Sequence, residues 1–225
     1  MALPIIDYPT FTTILPSTGK EISFRPYRVK EEKILLTAAE STDTKILMRA
    51  LLNVIGNCIE GDFDVNNLTA FDIDWMWVQL TIQSVSNVAK VIMEIDGKER
   101  KLELNLDDVK VEQPEIVIDP KIMINKDVGI ILTRPTIQDL VRIEGTKKDQ
   151  LGVALKSAIK QVFSGDEVFN PKDYTDKEYT DFIDSLPHAV MEHYTKFIDN
   201  VPKVVLRRDI DGKEYVFEGI KDFFQ

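Results

Sequence analysis

One cysteine and two histidines are all the soft-ligand chemistry these 225 residues offer. A lone Cys58 excludes an internal disulfide framework. Its place on an apolar helical face predicts a buried core thiol rather than a reactive one. His188 and His193 are five positions apart and do not stack on one helical face, so they make no zinc set with one distant cysteine. No window approaches the roughly 18 uninterrupted apolar residues of a membrane-spanning helix, so no membrane association is expected. The opening MALPIIDYPTF has no basic region ahead of a long apolar run, and no secretory leader is expected. No serine lies in a Gly-x-Ser-x-Gly context. The basic stretches are mild and lack clustered aromatics, which argues against nucleic-acid binding.

Two local patterns imitate ligand sites and fail on inspection. In LPSTGKEISFRPYRVKEEK, Leu15 to Lys33, a phosphate loop would need glycine five positions before Gly19 and Ser or Thr after Lys20. The chain has Ile14 and Glu21 there, and a β-rich arm follows instead of a helix. The Ser-Thr-Gly-Lys is therefore a hairpin turn. Asp62, Asp64 and Asn66 resemble the start of a calcium loop, but Asn67 replaces its glycine and Ile73 its terminal glutamate. Glu31-Glu32 and Asp107-Asp108 pair carboxylates without any sign of a cleft. No catalytic, cofactor-binding or metal-ligating residue is assigned.

What the chain does have is charge in blocks. The net charge of -10 divides into +1 over residues 1–58, -9 over 59–119, +4 over 120–163 and -6 over the remainder. Blocks of this kind can steer a protein partner or represent ordinary surface variation.

Hydrophobic periodicity gives the coarse order. Thr10–Leu15 and Glu21–Tyr27 read as a hairpin. Ile34, Leu35 and Ala38 mark a short helix, and Ile46, Leu47, Ala50, Leu51, Val54, Ile55 and Cys58 a longer one. Thr69 and Asp72 resemble a capping box ahead of Leu68, Phe71, Trp75, Val78, Ile82 and Val85 at helical spacing. Trp77 falls off that stripe, and is assigned to a second packing face or a partner surface. IDGKE occurs twice, at Ile95–Glu99 and Ile210–Glu214, each time as a two-residue hairpin turn. Short strands are expected at Ile116–Ile118, Ile122–Ile124 and Gly129–Leu132. Helices are expected around Thr136–Ile143, through Leu151, Leu155, Ala158, Ile159 and Val162, from the capping box Thr175–Glu178, and from Val190 to Ile198.

Strands and helices do not alternate as a doubly wound sheet requires, so the fold class is α+β. The expected arrangement is a helical body with a central β-rich insert and N- and C-terminal hairpins. Residues 1–88 hold the first hairpin and helices, 89–133 the insert, and 134–225 helices and the last hairpin, packed with 1–88 as one body.

Three stretches carry a family resemblance: LPSTGKEISFRPYRVKEEKILLTAAES, FDIDWMWVQLTIQSVS and FIDNVPKVVLRRDIDGKEYVFEGIKDFF. Together they resemble the baseplate hub subunit family of T4-type contractile-tailed bacteriophages, which includes a protein described as a catalyst of hub assembly. The matching positions of the first stretch are Arg25, Pro26, Val29, Lys30, Glu31, Glu32, Lys33, Leu35 and Leu36. In the second, Thr81 stands where the family has Arg, and Ser86-Asn87 where it has Gly-Glu, so any contact made by those groups is altered here.

The resemblance implies a noncatalytic role in tail morphogenesis, as a hub building block or as a transient assembly chaperone absent from the mature particle. A wall-degrading hub enzyme is the third reading, and no acid pair supports it. The implied partners are other baseplate hub and tail proteins, met in the cytoplasm of the infected bacterium or in the virion baseplate; self-association is left open. The candidate partner surface is Arg25, Tyr27, Arg28, Lys30, Glu31, Glu32, Lys33, Trp77, Phe223 and Phe224. The terminal Phe223-Phe224 would serve a neighbour's pocket or close the chain's own core.

Overall fold

A chain that opens with two short β-rich arms and a left-handed glycine between them folds there as a hairpin. In the computed structural model, which describes residues 6–41, 43–145 and 150–223, β1 (Phe11–Ile14) pairs antiparallel with β2 (Glu21–Phe24), Phe11 opposite Phe24. Ile22 and Phe24 alternate inward, and Leu15 is buried at the bend.

Helices α1 (Val29–Ala39) and α2 (Thr44–Cys58) follow and pack on each other. The expected inward face of α2 holds for Ala50, Leu51, Val54, Ile55 and Cys58 but not for its first turns. Ile46 and Leu47 are each 45% exposed. Periodicity marks which residues share a face; it does not say how far along the helix a neighbour reaches.

Helix α3 (Ala70–Ser84) begins at the expected capping box: the Thr69 amide donates to Asp72 at 2.9 Å, and the Asp72 amide to the Thr69 hydroxyl at 3.4 Å. It is apolar nearly all round and accordingly buried, through Phe71, Ile73, Met76, Val78 and Leu80. Val85 departs from the expected stripe. The helix stops at Ser84, and Val85 is exposed in its cap. Strands β3 (Val88–Ile95), β4 (Lys98–Asn105) and β5 (Lys110–Glu112) come next, with β3 and β4 a closed two-stranded hairpin.

Here the chain passes into a second compact unit, Gln113–Val201. Ile116–Ile118, expected as a strand, is irregular, with Ile116 and Val117 exposed. Strands β6 (Lys121–Met123) and β7 (Val128–Leu132) then lead to helices α4 (Ile137–Gly145) and α5 (Gln150–Ala158). Ile159 and Val162 belong not to α5, as periodicity suggested, but to β8 (Ile159–Ser164), followed by β9 (Glu167–Phe169). β-Branched and aromatic residues at 159–163 suit pairing with β7, where Ile130 opposes Val162. The sheet order is β6-β7-β8-β9, all antiparallel. Helices α6 (Asp176–Asp184) and α7 (His188–Asp199) complete a core of Ile130, Leu132, Leu155, Ile159, Ile183, Val190, Tyr194 and Phe197.

The chain returns at Pro202 to the first unit, Met1–Glu112 with Pro202–Gln225. Strand β10 (Lys203–Ile210) pairs with both β5 and β11 (Lys213–Glu218), and a short helix α8 (Gly219–Phe223) ends the described chain. The IDGKE turns are alike in backbone, with positive φ at Asp96 and Gly97 and at Asp211 and Gly212. That is the primed-turn geometry that matches strand twist. The Arg100 guanidinium pairs with Asp211, joining one hairpin to the turn of the other. The fold is α+β, with eight α-helices and eleven strands among the described residues. No helix among them is long and apolar enough to cross a membrane.

Candidate protein-contact site

The segment after β2 is organised by two buried charges. Arg25 is 8% exposed and Glu31 fully buried. Arg25 Nη2 lies 3.0 Å from Glu31 Oε1 and donates to the Asn57 carbonyl at 2.7 Å, in the last turn of α2. Arg25 Nη1 donates to the Pro26 carbonyl at 3.0 Å. Glu31 is the third residue of α1, and its Oε2 accepts the Arg28 amide at 2.9 Å. Lys30 Nζ completes the set, 3.2 Å from Oε1. A carboxylate therefore sits at the positive end of α1 and a guanidinium at the negative end of α2, each complementing a helix dipole while neutralising the other. Burial alone would raise the Glu31 carboxyl; the hydrogen bonds from Arg25, the Arg28 amide and Lys30 outweigh it and hold the group below its ordinary value.

Cys58 lies beneath this pair, its Sγ 3.8 Å from Arg25 Nη1. Burial pushes its thiol up to about 11, only partly opposed by Arg25. Such a thiol is a poor nucleophile. Among the described residues, no group of three or more His, Cys, Asp and Glu side chains is placed to hold a metal ion. His193 Nε2 instead meets the Asp119 carbonyl at 2.7 Å, and exposed His188 lies 3.8 Å from Glu192.

Around the charged pair the packing is equally committed. The Tyr27 ring stacks on Trp77, 6.0 Å between centroids at 5°, while the Tyr27 amide donates to Ser84 Oγ at 2.9 Å. Trp77 is buried and Trp75 half-buried, with its indole N–H donated to Thr13 Oγ1 at 2.9 Å. The Ser-Thr-Gly-Lys turn is held by a carboxylate: the Ser17 amide donates to Asp72 Oδ1 at 2.9 Å. An amide already given to an anion of the protein's own is no phosphate cradle.

The predicted contact residues thus differ in burial, with Tyr27 half-buried against Trp77. Lys30, Glu32 and Lys33 are exposed on α1, beside Val29 and Leu36, which are 65% and 62% exposed. Arg28 is half-buried, its guanidinium 4.0 Å over the Tyr8 ring. Arg25, Glu31, Trp77 and Phe223 are buried in the unit, and Phe224 lies outside the described residues. Residues that sequence reasoning missed are Ser84, Asp72 as the holder of Ser17, and Asp74, whose Oδ1 accepts the Ile220 amide at 3.1 Å. Burial pushes the Asp74 carboxyl up, with that amide opposing. Asp72 had a sequence signal as the cap of α3, and Ser84 one as a position the family resemblance retains.

Residues 8–225 match the sequence model of a family described as T4 bacteriophage base plate protein. No curated protein and no solved structure matches the chain. A match over nearly the whole length shows the family: the chain belongs to the T4 bacteriophage base plate proteins.

Proposed function

We propose that this base plate protein is a noncatalytic component of the hub, acting through protein–protein contacts while the tail is built. The observation that carries this reading is the solvent face of α1. Val29, Lys30, Glu32, Lys33 and Leu36 are exposed on a helix whose first turn is fixed by the buried Arg25–Glu31 pair. A rigid helix showing apolar and paired-sign charged side chains to solvent suits docking to another protein, since little order is lost on binding. The charges would set register and partner choice, and the two aliphatic residues the buried centre of the contact.

The partners in this reading are other hub and tail proteins of the same phage, and the place of action is the infected cell and the assembled baseplate. The test is complementation of a phage lacking the protein with E32K/K33E. Normal folding, measured by melting temperature, with loss of completed baseplates supports a contact on α1. Full complementation by the swapped protein would contradict it.

A further inference from the structure

The second unit carries a groove of about 460 Å³ that the α1 contact does not use. Six of its nine lining residues are Phe169 at the end of β9, Pro171 and Tyr174 in the turn that follows, and Glu178, Tyr179 and Phe182 on α6; the other three come from β7 and β8, and of those only Ser164 is polar. Phe169 and Tyr174 rings stand 6.4 Å apart and tilted, and Tyr174 is 45% exposed. The Tyr179 hydroxyl is given to the Lys156 carbonyl at 3.0 Å, so what that residue offers the groove is its ring. Glu178 is similarly committed, accepting the Thr175 amide and hydroxyl at 2.9 and 2.6 Å as the cap of α6. The wall is thus aromatic and apolar, without the convergent polar groups that orient a polar metabolite, and its volume is that of a ligand site.

Charge chooses the occupant. Residues 166–184, which supply all six of those wall residues, carry seven carboxylates against two lysines. Asp166, Glu167, Asp173, Asp181 and Asp184 are exposed. Asp176 is paired with a lysine from elsewhere, Lys156 at 3.0 Å. Beside the groove runs β9, the last strand of its sheet, with Val168 58% exposed.

We propose that this groove is a docking site for an extended segment of a partner protein, with an aromatic or large aliphatic anchor flanked by lysine or arginine. The anchor fills the aromatic groove, the flanking cations face the surrounding carboxylates, and the segment's backbone runs along the β9 edge. This gives the partner-binding reading above a second surface and a ligand chemistry, and rests on that reading only for the identity of the partner.

The experiment is a fluorescence anisotropy titration of the purified full chain with a short labelled peptide, Leu-Phe flanked by lysines. Control peptides replace Leu-Phe by Ser-Gly, or the lysines by glutamates. The expected result is saturable binding of the first peptide alone. Y174A should weaken it at least ~5-fold without changing the melting temperature, since the side chain is substantially exposed. D173K/D181K, at two exposed positions, should weaken it further and reduce its dependence on salt. No saturable binding, equal binding of either control, or indifference to Y174A would overturn the proposal. So would self-association abolished by Y174A, which would make the occupant a second copy. The titration uses no other phage component, so a failed groove leaves the α1 reading standing, and a failed complementation test leaves the groove.

Discussion

The guanidinium of Arg25 and the carboxylate of Glu31 meet at 3.0 Å, and both residues are buried. One partner follows β2 and grips the last turn of α2, and the other caps α1. The end of β2, the first turn of α1 and the last turn of α2 are tied together through this one ion pair and its hydrogen bonds.

Removing one member should be far costlier than removing a surface charge. Glu31→Ala would leave Arg25 buried without its anion, and a loss of about 3–5 kcal/mol is expected in urea or thermal unfolding. Glu31→Gln keeps the volume and an acceptor, and should cost less.

The same carboxylate makes stability depend on pH. Its folded-state pKa lies below its unfolded one. On acidification the unfolded chain therefore binds the proton first, and the Glu31 contribution is lost as pH falls from the ordinary glutamate value of about 4.3 through the lower folded-state value. Above that window it is fully present. Melting temperature measured from pH 6 down to pH 3 should fall less steeply in Glu31→Gln than in the parent; parallel curves would show that another carboxylate carries the slope.

How much of this was readable beforehand depends on what each residue answers to. Thr69 with Asp72, Thr175 with Glu178 and the two Asp-Gly turns are local solutions to local problems, so spacing alone located them. The α+β class followed from the same periodicities. Ile159 and Val162 are a different case, since their strand exists because β7 lies alongside, and short apolar runs do not announce a partner. RPYRVKEEK, proposed as part of a contact surface, reads in the sequence as a charged run after a β-rich arm. Which of its charges turn inward was not legible, because Glu31 and Glu32 differ only in the face they occupy, and the Asn57 carbonyl that selects Arg25 is thirty-two residues away.

At the far end of the same unit, Phe223 is fully buried. Phe223→Ala should therefore destabilise the protein by about 3–5 kcal/mol, the cost of an emptied aromatic site. An unchanged unfolding midpoint would show that α8 contributes no core.

Gly219 starts α8 at φ +67, and a Cβ there would lie 2.9 Å from Asp74 Oδ2. Gly219→Ala is expected to cost about 1–3 kcal/mol from backbone strain, with the steric clash added. Combining it with Asp74→Ala removes the clash but not the strain, so the pair should be less than additive. Strict additivity would place the whole cost in the backbone.

The proposed role of this base plate protein is that of a stoichiometric hub component acting by contact. The most direct measurement is quantitative mass spectrometry of purified mature particles beside a baseplate-assembly fraction from infected cells. The account predicts the protein in both, at one fixed ratio to the other hub proteins. Its presence with assembling hubs and absence from mature particles would contradict a permanent hub component and make it a transient assembly factor instead.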